Sequence, residues 1–451
     1  MNRKFYSTLI VCIIALSMLL TACQPAAPTE VPADQPQTEP TVAVVDPVAE
    51  EIQLRWRTRP DNQAEIDVYS SISQELDTQL EGITLVYEPG GSESSSYQDV
   101  LKTEIGAGTA PDVFWIPGTD VADFAKRGLI LNMADMVGDF DTAAFYSGPM
   151  FHLTYNPESM GNDALWGLPR DVSTFALYLN MDLINEAGAA DPRELAKNGE
   201  WTWEAFLDVA QKVRALGTDI YGYGANAWWG PYGVWINSAG GGFFNADRSA
   251  CALDTDESIA GLEFERSLYV DHDVAVPYGE DSEPPFMAGK VAMFQNGRWA
   301  TPGTRANANF TWDVVELPSG PNGPGNWLFW GAYVVNANTA HPEEAWKLVQ
   351  ALTEAKTQAQ ISALGTNIPS RVSQEALDSF LTFTPPDNNQ AFLNGIAEAS
   401  NPSAEGPLWA GNWPEFDAVM GAKVNAVLTG TLSIEEFKAT ICSEANKAFG
   451  Q

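Results

Sequence analysis

Histidine is nearly missing from this chain. His152, His272 and His341 are the only three, far apart and in no HExxH spacing, and the four cysteines form no CxxC pair. Nothing here has the ligand spacing of a zinc site, and no residue pattern calls for a cofactor. A GxxxxGK[ST] phosphate loop and a GxSxG nucleophile elbow are absent too, and YGYGAN at 221–226 does not complete a GxGxxG. Two well-placed carboxylates would suffice for a glycosidase. With 59 acidic residues, that enzyme class is disfavoured by the missing motifs but stays open. Basic charge is scarce: 24 Lys and Arg against 59 Asp and Glu leave a net charge of −35. Such a chain is repelled by phosphate backbones and anionic lipid heads, which argues against nucleic acid as a partner.

Long apolar runs are also lacking. The stretch Leu9 to Leu20 is too short for a comfortable membrane span. Arg3 and Lys4 precede it and Thr21, Ala22 and Cys23 follow, which is the layout of a secretory signal over residues 1–22. LTAC resembles the bacterial lipobox, and that resemblance implies lipidation of Cys23. Residues 24–51 hold six prolines, several acids, no Lys or Arg and no aromatic ring. Such a segment cannot bury enough apolar surface to order itself, so 23–51 reads as a lipidated cysteine and an extended tether. Contact with the membrane would come through this anchor only. Cys251 and Cys442 then remain in an oxidising compartment, either bonded to each other or as two buried thiols.

About 400 residues follow the tether, more than one core usually holds, so two lobes are expected. IQLRWR at 52–57 alternates apolar and polar residues as a strand does; 64–80 has helical spacing; ITLVY at 83–87 is a buried strand; 97–106 is helical; DVFWI at 112–116 is a third strand. Strands alternating with helices predict an α/β fold with a mainly parallel sheet, whose ligands bind beyond the carboxyl ends of the strands. Arg59, Glu88 and Asp120 fall at those ends. Thr202 can cap a helix over 203–216, Asp254 with Glu257 suggests a capping box, and Ser433 with Glu436 suggests another.

What the chain has in quantity is tryptophan, 15 residues. YGYGANAWWGPYGVW at 221–235 sets Trp228, Trp229 and Tyr232 among glycines, where large rings and a bending backbone rarely meet. Trp235 falls back into helical spacing, which points to packing.

Several stretches resemble one family in their order and spacing: GTAPDVFWI, FAKRGLILNM, LWGLPRDVSTFALYLNMDLINEAG, WTWEAFLDVAQKVRA, FMAGKVAMFQNGRWA, WDVVELPSGPNG and PEEAWKLVQALT. The family is the extracellular solute-binding proteins of ABC importers, in the carbohydrate-binding group that includes maltose-binding protein. The resemblance covers nearly all of residues 52–450. It implies a two-lobed, type II fold, with 52–175 plus about 313–350 as the N-lobe and 176–312 plus about 351–451 as the C-lobe. It further implies a monomer that closes on a small carbohydrate and hands it to the importer's membrane subunits.

Sugars have apolar C–H faces that flat rings cover and hydroxyls that carboxylates, amides and Arg bond. The resemblance makes Trp299, in NGRWA, the leading sugar platform. Tyr232 matches a stacking aromatic, with Trp228 and Trp229 just upstream. Trp409 and Trp413 match a C-terminal ring, and Trp330 beside Gly331, with Trp327 nearby, is expected on a loop facing the site. Arg59, Glu88, Asp120, Arg170 and Asp171 are the candidate hydroxyl partners. Ser173 stands where maltose-binding protein has a carboxylate, which argues against assuming maltose. The same fold serving glycerol phosphate or a polyamine is the alternative; the first would want clustered cations and the second a cage of acids and rings.

Overall fold

The computed structural model describes residues 52–60, 62–91, 94–137, 141–398 and 406–450, without the side chains of 94–96 and 397–398. The signal, Cys23 and the tether lie outside the described residues.

The chain builds two sheets. Strands β1 (Ile52–Thr58), β2 (Ile83–Pro89), β3 (Val113–Pro117) and β4 (Leu168–Ser173) open the first. β5 (Phe175–Asn180), β6 (Tyr221–Ala225), β7 (Val291–Gly297) and β8 (Trp312–Val315) make the second. β9 (Phe329–Val335) and the short β10 (Ile368–Pro369) return to the first. The orders are β10-β4-β9-β3-β1-β2 and β6-β7-β5-β8. The helix Gln63–Gln79 follows β1 because Asn62 caps it, accepting the Glu65 N–H at 3.0 Å, and because Tyr69, Ile72 and Leu76 make one buried stripe. Tyr69 meets the fully buried Trp56 of β1 edge-on, ring centres 6.2 Å apart.

The sheets are mixed where mainly parallel ones were expected. β1 runs parallel to β2 and β3, and β6 to β7; β9 is antiparallel to both β3 and β4, and β5 to both β7 and β8. Helical crossovers produce the parallel pairs. The antiparallel pairs involve strands that pass between the sheets. β4 and β5 are separated by one residue, the buried Thr174, so the chain leaves one sheet and enters the other almost without a break. Two segments lie elsewhere than expected. β8 (312–315) pairs with β5 in the four-stranded sheet, and β10 (368–369) pairs with β4 in the six-stranded one.

The cap at 254–257 also shifts. Thr255 caps the helix Asp256–Val270 by accepting the Ser258 N–H, so Asp254 and Glu257 form no box there. Ser433 and Glu436 do form the reciprocal box before Ile434–Ala445. Cys442 of that helix is bonded to Cys251, their Cα atoms 5.2 Å apart.

Candidate functional site

The 221–235 segment is a strand, a turn and a helix, Trp229–Ser238, where a glycine-rich loop was expected. This separates its rings. Tyr232 and Trp235 point inward and are 1% and 0% exposed, so Tyr232 belongs to the core, packed against Phe243. Trp228 and Trp229, at the start of the helix, stay half-buried.

These two tryptophans meet Trp299 over a floor of two phenylalanines. Phe175 opens β5 and Phe329 opens β9, their ring centres 4.6 Å apart. Trp228 stands 5.7 Å from Phe175 and 5.4 Å from Phe329; Trp299 stands 6.0 and 5.4 Å from the same pair. Trp229 packs perpendicular to Trp228 at 5.2 Å and to Trp413 at 5.5 Å. Behind them Trp327, fully buried, donates its Nε1–H to the Gly230 carbonyl at 2.8 Å. Two glycines set the ring positions. A Cβ on Gly230 would come within 2.6 Å of the Trp228 ring, and one on Gly297 within 2.3 Å of the Trp299 ring. Both rings fold back over bare backbone, which explains the mixture of glycine and tryptophan in the sequence.

A polar group gathers beyond β1, β3 and β4. Arg170, 7% exposed, donates to Asp171 at 2.7 Å, to the Thr58 hydroxyl at 2.7 Å and to the Arg59 carbonyl at 3.3 Å. Its guanidinium lies 4.7 Å from the centre of the Trp115 ring, and that of Arg59 lies 5.2 Å from it. Asp120 ends the turn Gly118–Asp120 after β3; burial pushes its carboxyl up to about 6. Glu88 is already paired: its oxygens take Arg55 at 2.5 Å and Arg57 at 2.7 Å across the β1–β2 register. Ser173 is 3% exposed and accepts the Arg298 N–H at 3.1 Å, joining β4 to the end of β7.

The remaining candidates separate. Trp330 lies within β9, not on a loop, 5% exposed and stacked on His152 with ring centres 6.1 Å apart. Trp409 leaves Trp413 and packs on Tyr155 at 5.4 Å and Trp166 at 6.1 Å. Lys126 reaches the same stretch, donating to the carbonyls of Leu408 at 3.2 Å and Gly411 at 3.0 Å. A cavity of about 160 Å³ lies beside it, between Thr119 and Ala122 on one side and Asn412 and Trp413 on the other. Sequence reasoning reached Trp115 as the end of a strand but did not find Phe175, Phe329, Tyr155 or Trp166. Trp166, just ahead of the crossing strand in LWGLPRD, is the one whose position gave a local signal.

The bacterial extracellular solute-binding protein model matches residues 64–359, about two thirds of the chain. This chain belongs to that family. Among relatives of this solute-binding protein, a putative binding protein of Brucella abortus is 25% identical over 294 residues, 62% of this chain and 67% of that one. The galactooligosaccharide-binding protein of Bacillus subtilis is 24% identical over 357 residues, 76% and 75% of the two chains. Among solved structures, an ABC substrate-binding protein of Listeria monocytogenes in complex with cycloalternan has a TM-score of 0.76 at 20% identity, covering 89% of this chain and 99% of that one. The GacH receptor of Streptomyces glaucescens, solved unliganded and with acarbose, has a TM-score of 0.74 at 19% identity, covering 89% and 99%. The fold is therefore the two-lobed, type II arrangement, and the protein is a bacterial extracellular solute-binding protein. Among the described residues no helix is long and apolar enough to cross a membrane.

Proposed function

We propose that this solute-binding protein captures an oligosaccharide between its lobes and delivers it unaltered to the importer's membrane subunits. The observation that carries this is the exposed edge of the aromatic cluster, where Trp228, Trp229 and Trp299 remain half-buried over Phe175 and Phe329. Three rings at different tilts suit the C–H faces of successive sugar units better than a single small solute. Arg170, Asp171 and Arg59 supply polar edges for hydroxyls, and Trp409 with Tyr155 and Trp166 supplies a second ring surface. The relatives named for galactooligosaccharide and maltotriose binding accord with this ligand class.

The lobes are divided here by sheet: 52–173 with β9 and β10 in one, 175–315 with the helices from Trp413 onward in the other. Ligand that touches both lobes favours the closed state by its differential affinity. The protein acts as a monomer, held on the outer face of the cytoplasmic membrane by lipid on Cys23, and has no catalytic role.

Intrinsic tryptophan fluorescence tests the ligand class. Titration with malto- and galactooligosaccharides should give a saturable shift with the sugar recovered intact. A response only to spermidine or glycerophosphocholine overturns the sugar assignment, and release of smaller sugars overturns the non-catalytic one. Cys23→Ser should move the protein from the membrane fraction to the soluble fraction; unchanged fractionation overturns the anchor.

A further inference from the structure

Two chain segments pass between the sheets side by side, one from β4 into β5 and the other from β8 to β9. On the six-stranded side they pair as strands, with Ser173 opposite Phe329. On the four-stranded side a side chain makes the pairing. β8 ends at Val315, opposite Leu177, and so stops short of Phe175 at the start of β5. Asn326, ahead of β9, takes over there. Its Oδ1 accepts the Phe175 N–H at 3.0 Å, and its Nδ2 donates to the Phe175 carbonyl at 3.0 Å. The same Oδ1 accepts the Trp327 N–H at 2.8 Å. A primary amide offers both the donor and the acceptor of a peptide group, so one side chain completes the ladder that β8 leaves open.

Asn326 is 2% exposed and fixed from three directions. Asn237, on the helix Trp229–Ser238, donates to its carbonyl at 3.4 Å. The helix Gln390–Glu398 follows β10 and precedes the helix Trp413–Leu428, which packs in the core of the four-stranded sheet. Its Gly395 lies so close that a Cβ would come within 2.7 Å of the Asn326 Nδ2 and 2.8 Å of the Thr174 hydroxyl. That hydroxyl donates to the Phe392 carbonyl of the same helix at 2.6 Å. All three passages between the sheets therefore meet at one buried point.

The length left between the two pairings is short. From Ser173–Phe329 to Phe175–Asn326 there is Thr174 on one chain, and Trp327 and Leu328 on the other. Trp327 is tied at its backbone N–H to Asn326 and at its Nε1–H to the Gly230 carbonyl. Leu328 is only half-buried. Hinge motion is absorbed by a few residues at the ends of elements, where the fewest bonds oppose rotation. We propose that Asn326 is a positioning residue for ligand capture: its amide clamps both passing chains on the four-stranded side, so that the lobes turn about Thr174 and Leu328. This rests on the reading that the lobes close on a ligand. Phe175 and Phe329 stand on either side of that axis and next to it, so the floor under the tryptophans moves least as the lobes turn.

Spin labels on Glu81→Cys and Glu257→Cys, two exposed positions flanking different sheets, report the separation of the lobes in the sugar-free protein. Asn326→Leu nearly keeps the side-chain volume and removes the amide. Its distance distribution should be shifted and roughly twice as wide as that of the parent. A merely structural role would lower Tm and leave the distribution alone, so equal distributions overturn the proposal. Amide exchange on the unaltered, sugar-free chain decides the matter if Asn326→Leu fails to fold. The Phe175 N–H should exchange within about tenfold of the Leu177 N–H in the same strand. Exchange faster by about a hundredfold or more would mean that the clamp opens with the lobes, and overturns the proposal. Maltotriose added to the parent tests the underlying reading separately: with no change in separation or fluorescence that sugar reading fails, whatever the clamp measurements return.

Discussion

Trp228 and Trp299, one before a helix and the other after a strand, hold their rings 6.4 Å apart at 50° to each other, both against Phe329. Each leaves an edge uncovered. Replacing either by Ala removes a flat surface that a sugar face would cover, at a cost of about 2 kcal/mol in binding, roughly thirtyfold in Kd. Calorimetric titration of Trp299→Ala and Trp228→Ala should show that loss, with unfolding midpoints close to that of the parent.

Gly297 tests the same surface without touching a ring. Its φ of −79° suits any residue, but a Cβ would collide with Trp299. Gly297→Ala should therefore displace the ring and weaken sugar binding by roughly tenfold, about 1.4 kcal/mol. Quenching of tryptophan fluorescence by acrylamide should increase in the same variant as the ring moves out.

Lys126 follows β3 of the six-stranded sheet, yet its ammonium holds the Leu408 and Gly411 carbonyls just ahead of a helix packed in the other core. Charge-assisted bonds of this kind stabilise by about 1.5–3 kcal/mol. Lys126→Met should loosen that tie, lowering ligand affinity about tenfold and speeding cleavage near 406–412 in limited proteolysis.

Cys251 and Cys442 close a loop with a sequence separation of 191 residues, pinning the last long helix to the segment after Phe243. Long closed loops restrict the unfolded chain, and loss of such a bond typically costs about 2–4 kcal/mol. Denaturant midpoints with and without reductant, and of Cys442→Ala, should fall together by that amount.

Glu265 is 0% exposed, and neither carboxylate oxygen has a hydrogen-bond partner among the described residues. Burial alone pushes its carboxyl far above the ordinary 4.5. The sign follows by linkage. Below pH 4.5 the acid is protonated in both states and folding carries no ionisation cost. As pH rises past 4.5 toward the folded value, the unfolded chain releases the proton and the folded one keeps it, so stability declines. Glu265→Gln removes that decline. Its Tm relative to the parent should rise between pH 4 and pH 7, and a flat difference would contradict it.

The sequence by itself determined what lies within a few residues of its own cause. The first five elements, Thr202 and Ser433 as caps, the acidic balance and the order of family-like segments were all legible, because capping bonds and periodicity act over one turn or one strand. It also pointed to tryptophan as the unusual resource. It did not tell Tyr232 from Trp228. They are four positions apart, but a helix turns the first into the core and leaves the second at the surface, and that depends on Phe243, Phe175 and Phe329 arriving from distant segments. Glu88 read as a candidate hydroxyl partner, and only the β1–β2 register showed Arg55 and Arg57 beside it. The antiparallel pairing of β9 with β3 and β4, the seating of β8 and β10, and the Cys251–Cys442 bond were likewise decided only by tertiary structure. Each is a contact between residues far apart in the chain, and no local preference encodes which partner arrives.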